Sequence, residues 1–307
     1  MTEEYSNMKW SGSASGQYDE SSVQAILHVW GLLAPPIRPF TALVDEFRRH
    51  VEAMRGLPVL VFGSTPELID LANECGSPRV IAVDWNADTF EALRRLGRTP
   101  WDKVEFVHGN WLEEIAGLGG TVGSVLCDGG PLFLRFPDQW QRISELAHAY
   151  LVDGGRWVAR GIDWPGDPRP YTDLVRMHIE DYERRAPGLD TAARLEAFKQ
   201  LTVQLRLSTF KGVTDAEGNI IQAEFARRQH ESADLLKQRF PDPELQQIAE
   251  ANLVLLTRAA VDRYDVLSVP TSEMAAAILE RVGFTTQVRN LNDAIPNGGF
   301  VLTGTRT

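Results

Sequence analysis

The alternation of short apolar runs with helical stretches constrains this chain more than any other feature. Five such runs occupy positions 59–62, 80–83, 104–107, 123–127 and 156–159, and the first is rich in residues that favour strands. Strands that alternate with helices at this spacing indicate a parallel sheet that is covered on both faces. Two more runs follow a last helix, which Thr271 should begin and Gly283 should end. The sequence therefore predicts an α/β fold with a doubly wound sheet.

Helical sequence surrounds and interrupts this sheet. Residues 1–56 are interpreted as an N-terminal arm with a helical cover, and residues 57–163 as the α/β core. Residues 164–268 are mostly helical and are predicted to form an insertion that acts as a lid or substrate wall. Residues 269–307 should supply the last helix and two strands that complete the core.

Helix start signals locate several of these elements. Ser21 or Ser22 is expected to cap the first helix and Thr41 the second, because a hydroxyl can accept from a free backbone amide. A third helix should follow Thr65, with Pro66 at its first position. On the first helix, the apolar residues at positions 26, 30 and 33 should share one face.

Charge and cysteine content exclude several classes of protein. The formal net charge is −11, from 31 Lys and Arg against 42 Asp and Glu, so the chain is not expected to bind nucleic acid. Cys75 and Cys127 are too few for a disulfide framework or a cysteine-based zinc site, and no metal is predicted. No apolar run approaches the roughly 20 residues that span a bilayer, and no signal peptide is visible. These features predict a cytoplasmic protein without a membrane partner.

Polar residues follow the first two strands, where an open parallel sheet binds its ligands. Gly63 comes directly after the first strand, and a glycine there allows backbone amides to approach an anionic group at a helix N-terminus. Asp84 ends the second strand about twenty residues later, which is the position of an acid that accepts from ribose hydroxyls. This pair indicates a nucleoside ligand; the alternative is a loop glycine and a solvated aspartate.

The third and fourth strands end in two further candidate groups. The amide of Asn110 has the chemistry to bind an adenine edge and Trp111 to stack on the ring, although Trp111 would equally suit a core position. Asp128 is followed by Gly129 and Gly130, so a hydrogen-bond acceptor lies beside backbone that no side chain covers. The alternative for Asp128 is a simple turn former.

Taken in order, these segments resemble class I S-adenosylmethionine-dependent methyltransferases. The resemblance rests on VLVFGSTPEL, VIAVDWN, VEFVHGNWLEEI, VGSVLCDGGPLFL and LVDGGRWVAR. Within this family, the sequence is most similar to a divergent branch. That branch has G-x-TPEL after the first strand, GDW after the third and GDG after the fourth. The resemblance covers residues 57–163 and 269–307. The resemblance implies a Rossmann-like, seven-stranded sheet of the methyltransferase type and S-adenosyl-L-methionine as cofactor.

The resemblance also implies roles for individual residues at the first two strand ends. Gly63, Ser64 and Thr65 would line the methionine end of the cofactor. Asp84 would hold the ribose hydroxyls, and Trp85 would lie beside the adenine.

At the next two strand ends, the resemblance places Asn110 and Trp111 at the adenine. Asp128 and Gly129 would lie near the amino-acid end and the sulfonium.

The first loop departs from the usual pattern of the family, which is rich in glycine. Only Gly63 remains, Val61 replaces an acidic residue, and Glu67 stands where the last glycine would be. Glu67 has three interpretations: it stabilises the helix dipole, contacts the ammonium of the cofactor, or repels its carboxylate. Asn110 replaces the aspartate of GDW and removes one charge.

The substrate side is less defined by sequence. His178 and Tyr171 are candidate general bases, with a packing role as the alternative. Tyr18, Arg160 and Asp163 are candidate substrate contacts. No NPPY or DPPY motif follows the fourth strand, and in similar enzymes that motif marks methylation of amines on nucleic-acid bases.

These observations favour an O- or N-methyltransferase of a small molecule. A second hypothesis is a protein of the same fold that binds S-adenosylmethionine or S-adenosylhomocysteine without methylating, and the single glycine of the first loop supports it. A third is an NAD-dependent oxidoreductase, although GSTPE lacks the spaced glycines that a pyrophosphate needs. The insertion helices are also predicted to supply a homodimer contact.

Overall fold

Seven strands form one sheet in this computed structural model, which describes residues 18–162, 169–257, 266–295 and 299–307. The strands are β1 (Val59–Phe62), β2 (Val80–Asp84), β3 (Val104–His108), β4 (Val122–Asp128), β5 (Leu151–Gly161), β6 (Phe284–Asn290) and β7 (Phe300–Arg306). Their order is β3-β2-β1-β4-β5-β7-β6. Strands β1 to β5 run parallel, whereas β7 is antiparallel to both β5 and β6. This confirms the predicted seven-stranded, doubly wound sheet of the methyltransferase type.

Helices cover both faces of the sheet and build the insertion. They are α1 (Glu20–Leu32), α2 (Thr41–Ala53), α3 (Pro66–Glu74), α4 (Ala87–Arg94), α5 (Asp138–Tyr150), α6 (Tyr171–Arg185), α7 (Thr191–Ser208), α8 (Gln222–Arg239), α9 (Pro243–Ala249) and α10 (Ser272–Val282). A π-helical segment, Glu250–Leu255, continues α9. Short 3₁₀ turns occupy Gly130–Phe133 and Ala186–Gly188.

The pleat of β1 shows how the two layers arise. Its side chains alternate between the faces, so Leu60 and Phe62 join one apolar cluster while Val59 and Val61 join the other. Helices α5 and α10 cover the first cluster, and α2 and α3 cover the second. Both faces of β1 are therefore buried, which explains why its sequence is a continuous apolar run.

Two of the predicted helix starts are wrong in detail. Asp19, rather than Ser21 or Ser22, is the N-cap of α1, and its Oδ2 accepts from the backbone amide of Ser22 at 3.1 Å. Thr41 is the first residue of α2, and no side chain caps this helix. Pro66 does occupy the first position of α3, as predicted. An aspartate caps α1 because its carboxylate reaches the free amides from outside the helix.

The insertion has an apolar core of its own. Tyr182 of α6, Phe198 of α7 and Phe240 after α8 contact one another edge to face, with ring centroids 5.3 to 5.4 Å apart. Helix α9 and the π-helical segment pack against the same cluster. Among the helices within the described ranges, none has both the length and the apolar character needed to cross a bilayer.

A buried histidine links α2 to the sheet and predicts how stability depends on pH. Arg156 donates to Nδ1 of His50 at 2.9 Å, so this nitrogen carries no proton. Nε2 lies 3.1 Å from Thr303 Oγ1 and 3.3 Å from Glu46 Oε1. Burial, followed by the charge of Arg156, lowers the pKa of His50 below its usual value of 6.5. The folded state therefore holds this imidazole neutral.

We expect the contribution of His50 to the free energy of unfolding to fall as the pH drops below about 6.5, because the unfolded chain then binds a proton that the folded chain excludes. The loss cannot exceed about 1.4 kcal/mol per pH unit for each histidine. Denaturant titrations at several pH values should show a shallower dependence for His50→Gln. His148, whose pKa is lowered by burial and by Arg306, adds to the slope in both proteins, and Asp128, whose pKa is raised by burial, opposes it in both. Identical slopes in His50→Gln and the wild type would contradict the assignment.

Candidate functional site

A cavity of about 330 Å³ lies at the carboxyl end of the parallel strands. The strand order reverses between β1 and β4, and ligands of open α/β sheets bind at this point. The volume is within the range of small-molecule pockets. The walls come from α1, from the ends of β1, β2, β4 and β5, and from the insertion. The cavity therefore joins the predicted cofactor region to the predicted substrate region.

The first two strand ends meet at the cavity as predicted. Gly63 has φ +102°, a value that favours glycine, and its amide donates to the carbonyl of Val83 at 2.8 Å. Ser64 Oγ donates to Oδ2 of Asp84 at 2.9 Å, and the amide of Asn86 donates to Oδ1 at 3.0 Å. These contacts fix the Asp84 carboxylate in the cavity lining.

Two tryptophans form part of the same wall. Trp111 Nε1 donates to the carbonyl of Val83 at 2.8 Å, which fixes the indole plane. A Cβ on Gly130 would lie 3.0 Å from this ring, so glycine is needed for the close approach. His108 Nε2 lies 2.8 Å from the carbonyl of Trp85, which also lines the cavity. Trp111 also packs against the apolar core beside Phe62, and the contact of either tryptophan with an adenine stays a prediction.

Asn110 lies elsewhere. It is exposed and outside the cavity lining, and its Oδ1 accepts from the amide of Leu112 at 3.0 Å. This short-range bond closes a turn and uses the acceptor that sequence had assigned to an adenine edge. The amide side chain that does line the cavity is Asn86, whose Oδ1 caps α4 by accepting from Thr89 at 3.0 Å.

An ion pair closes the end of β4. Nε of Arg160 lies 2.6 Å from Oδ1 of Asp128, and both side chains are buried in the cavity wall. Burial raises the pKa of Asp128 to about 6; the guanidinium of Arg160 opposes this effect and the charge of Glu67 adds to it. Gly129, with φ +68°, provides the turn that follows. Burial therefore delays the ionisation of Asp128 to a pH well above that of an exposed aspartate.

Arg160 also holds the N-terminal cover. Its Nη1 donates to the carbonyl of Pro36 and its Nη2 to that of Ile37 at 3.5 Å. The predicted substrate contact thus lines the cavity, but its donors are engaged with protein acceptors.

Glu67 pairs with the N-terminal cover. Its Oε1 accepts from Arg38 at 3.1 Å, and the guanidinium of Arg38 lies 5.2 Å from the ring centroid of Trp30. Glu67 is outside the cavity lining, whereas Thr65 is part of it. The pairing with Arg38 favours a role for Glu67 in holding α3 against the cover.

The candidate bases do not reach the cavity. The Tyr171 hydroxyl donates to the carbonyl of Arg228 at 3.1 Å and lies 2.8 Å from Ser232 Oγ, so it joins α6 to α8. His178 is half-buried on α6 and is outside the lining, as is Tyr18, which is 52% exposed. Asp163 lies outside the described residues.

Sequence reasoning missed the residues that the insertion contributes. Arg206 of α7 lines the cavity together with apolar residues of α7 and of the segments before α10. The apolar face predicted for α1 also lines it, through Ile26, Trp30 and Leu33. Nothing in the local pattern around Arg206 distinguishes it from a solvent-exposed arginine of an amphipathic helix. Among the residues in the described ranges, no cluster of three or more His, Cys, Asp or Glu side chains is suited to a metal ion.

No protein-family model matches the chain, and no curated protein does. Solved structures with a similar fold include a protein described as a Zn-dependent alcohol dehydrogenase from Rhodobacter sphaeroides. It has 15% identity and a TM-score of 0.49, over 92% of this chain and 98% of that one. An O-methyltransferase family protein from Burkholderia thailandensis has 12% identity and a TM-score of 0.48 over 94% of this chain, which spans 59% of that structure.

An S-adenosylmethionine-dependent methyltransferase from Mesorhizobium loti has 13% identity and a TM-score of 0.47, over 85% of this chain and 96% of that one. These similarities are too low to transfer an activity. The order of the seven strands, with β7 inserted antiparallel between β5 and β6, carries the assignment instead. The chain has the class I methyltransferase fold.

Proposed function

We propose that this protein is a methyltransferase that uses S-adenosyl-L-methionine and acts on an oxygen or nitrogen atom of a small molecule. The observation that carries the proposal is the cavity at the sheet's switch point. One part of it has the Asp84 carboxylate held by Ser64, beside Gly63 and two tryptophans. The other part is apolar and lies under the insertion.

The residues present fit this cofactor. Asp84 offers carboxylate acceptors for the two ribose hydroxyls, and Trp85 and Trp111 offer flat surfaces for the adenine. Asp128 offers a negative charge for the ammonium group of the cofactor's amino-acid end. When bound, the cofactor supplies an activated methyl group on a sulfonium sulfur.

The protein's part in the reaction is placement and exclusion of water. The apolar walls from α1 and the insertion would hold the acceptor against the cofactor region and shield it from solvent. Because His178 and Tyr171 lie outside the lining, we propose an acceptor that needs little deprotonation, such as a phenol or a carboxylate. The limited cavity volume and the net charge of −11 support a small molecule over nucleic acid.

Two alternatives remain distinct hypotheses. A non-methylating protein that binds the same cofactor is favoured by the first loop, where Gly63 is followed by Ser64 and Thr65 rather than by further glycines. An NAD-dependent oxidoreductase is less favoured, because a pyrophosphate needs closely spaced glycines for backbone approach. Homodimer formation through the insertion helices and a cytoplasmic location stay predictions, which sizing chromatography and cell fractionation would test.

Ligand-induced thermal shifts test the cofactor, because a ligand that binds only the folded state raises the melting temperature. We expect S-adenosylhomocysteine and S-adenosylmethionine to stabilise the protein and NAD(H) to have no effect. Transfer of an isotope label from the methyl group to acceptors would then separate the methyltransferase from the non-methylating alternative. Stabilisation by NAD(H) alone would refute the proposal.

The ionisation of Asp128 predicts how cofactor affinity depends on pH. S-adenosylhomocysteine carries an ammonium group, and the Asp128 carboxyl is charged only above a pKa of about 6. We expect affinity to rise by up to about tenfold as the pH increases through this value, since a charge-assisted contact forms. Calorimetric titrations at several pH values would measure it.

In Asp128→Asn the rise should disappear, whereas Asp138→Asn, at an exposed position on α5, should behave as the wild type. A pH profile that is unchanged in Asp128→Asn would place the ammonium elsewhere.

A further inference from the structure

Arg206 brings a positive charge into the apolar part of the cavity. It lies on α7, and its neighbours Leu207 and Phe210 line the same wall. Leu33, Leu256, Leu267 and other apolar side chains line the same cavity. The placement of a guanidinium among such residues requires a physical reason, because charged side chains are rarely placed against apolar walls without a counter-charge.

Neutral groups hold the guanidinium in place. Nη1 donates to the carbonyl of Asn252 at 2.9 Å and to Thr257 Oγ1 at 3.0 Å. The guanidinium carbon lies 5.5 Å from the ring centroid of Phe225. Asn252 belongs to the π-helical segment and is itself fixed, since its Nδ2 donates to the carbonyls of Leu32 and Ile248. The position of Arg206 is therefore set before any ligand binds.

The other arginine of the cavity wall shows the contrast. Arg160 contacts the carboxylate of Asp128 at 2.6 Å. Within the described ranges, Arg206 forms no ion pair with a carboxylate, and its hydrogen bonds to described residues all leave from Nη1. An arginine carries five N–H donors in a planar fork, so an edge of the guanidinium is available to an anion. Burial also lowers the pKa of Arg206 to about 10, which indicates that the protein does not compensate its charge.

We infer that Arg206 binds a carboxylate of the substrate, so that the substrate class is a small apolar acid, either aromatic or aliphatic. This inference rests on the proposed methyltransferase function. The apolar walls would take the hydrocarbon part, and the paired N–H groups would orient the carboxylate. The carboxylate of the cofactor is the alternative ligand for the guanidinium of Arg206. The substrate is favoured because Arg206 lies on the insertion, whereas the residues predicted for the methionine end, Gly63 to Thr65, follow β1.

Matched carboxylate and amide pairs test this inference. Benzoate and benzamide, then naphthoate and naphthamide, would be titrated into the full chain with and without S-adenosylhomocysteine, using intrinsic tryptophan fluorescence and calorimetry. The variants are Arg206→Met, Arg206→Lys and, as a matched control, Arg227→Met. Arg227 is an exposed arginine of α8 that pairs with Glu224 and Glu231.

The wild type and Arg227→Met should bind at least one carboxylate about 10- to 100-fold more tightly than its amide, as expected for hydrogen bonds to a charged group. Arg206→Met should lose this preference, and Arg206→Lys should keep part of it. S-adenosylhomocysteine should bind all four proteins with the same affinity. Melting temperatures without ligand would show that each variant is folded.

Three results would overturn the inference. The first is a preference for the carboxylate that persists in Arg206→Met. The second is equal or undetectable binding of both members of every pair to the wild type. The third is a loss of S-adenosylhomocysteine affinity above about tenfold in Arg206→Met. The last would assign Arg206 to the cofactor's carboxylate. If the wild type fails to bind either sulfur compound, the proposed function fails, while the titrations without cofactor still decide the role of Arg206.

Discussion

Asp84→Ala should weaken the binding of S-adenosylhomocysteine by about 100-fold or more, the largest effect on ligand binding that we expect from one substitution. The two ribose hydroxyls would lose a charged acceptor, and each such hydrogen bond contributes about 1.5–3 kcal/mol. The carboxylate is already oriented by Ser64 and by the amide of Asn86, so little is lost in ordering it. Calorimetric titration would measure the change.

Ser64→Ala is the matched control for this substitution. It removes one donor to Asp84 but keeps the carboxylate in the lining, so we expect a loss below about tenfold. Melting temperatures without ligand would show whether each variant is folded. An unchanged affinity in Asp84→Ala would mean that the ribose is bound elsewhere, and the cofactor assignment would lose its main support.

Asp70→Ala should lower the free energy of unfolding by about 3–5 kcal/mol, the largest effect on stability that we expect. Its carboxylate, 2% exposed on α3, accepts from four donors. They are the amides of Arg98 and Thr99 at 2.8 and 3.1 Å, Thr99 Oγ1 at 2.7 Å and Trp101 Nε1 at 2.9 Å. Each buried donor left without a partner costs about 1–3 kcal/mol.

The same contacts make the contribution of Asp70 to the free energy of unfolding depend on pH. Burial acts to raise its pKa, but the hydrogen bonds from Trp101, Arg98 and Thr99 outweigh it and hold the pKa below the usual 3.8. The stabilisation is therefore complete above about pH 3.8 and is lost as the pH falls through the lower folded value. The wild type should lose this contribution in acid, whereas Asp70→Ala has none to lose.

Denaturant titration at neutral pH would measure the effect of Asp70→Ala. Asp153→Ala is the control, because that side chain is 88% exposed and its removal should cost less than about 0.5 kcal/mol. Asp70 does not line the cavity, so the folded Asp70→Ala protein should still bind S-adenosylhomocysteine. A change below about 1 kcal/mol would contradict the account of a satisfied buried carboxylate.

The strand ends could be predicted from sequence, whereas the substrate region could not. Gly63, Asp84 and Asp128 follow apolar runs, and parallel strands bring their carboxyl ends to one edge. Asn110 stands at a similar position, but a hydrogen bond to Leu112 turns its side chain away. Such short-range competition depends on the backbone path after the strand, which periodicity does not specify.

Longer-range contacts explain the other differences. Tyr171 follows the sequence PRP and has a titratable hydroxyl. The packing of α6 against α8 gives that hydroxyl a hydrogen-bond partner, Ser232. Arg206 lines the cavity and is held there by Asn252 and Thr257, which come about fifty positions later in the sequence. Contacts between helices of the insertion leave no pattern in either segment alone, so the sequence did not reveal them.

The π-helical segment Glu250–Leu255 determines which part of the cavity wall a small change of chain length would affect. One residue separates its i→i+5 bonding from that of an α-helix, so loss of a single codon there would restore an α-helix and leave every strand unchanged. Because the extra residue is contained within the π-helical turn, Leu256 would keep its place in the cavity wall and Thr257 its place beside Arg206. Only the side chains of the segment itself, Asn252 among them, would change their spacing. A single deletion would thus change the contacts that hold Arg206 without a new fold.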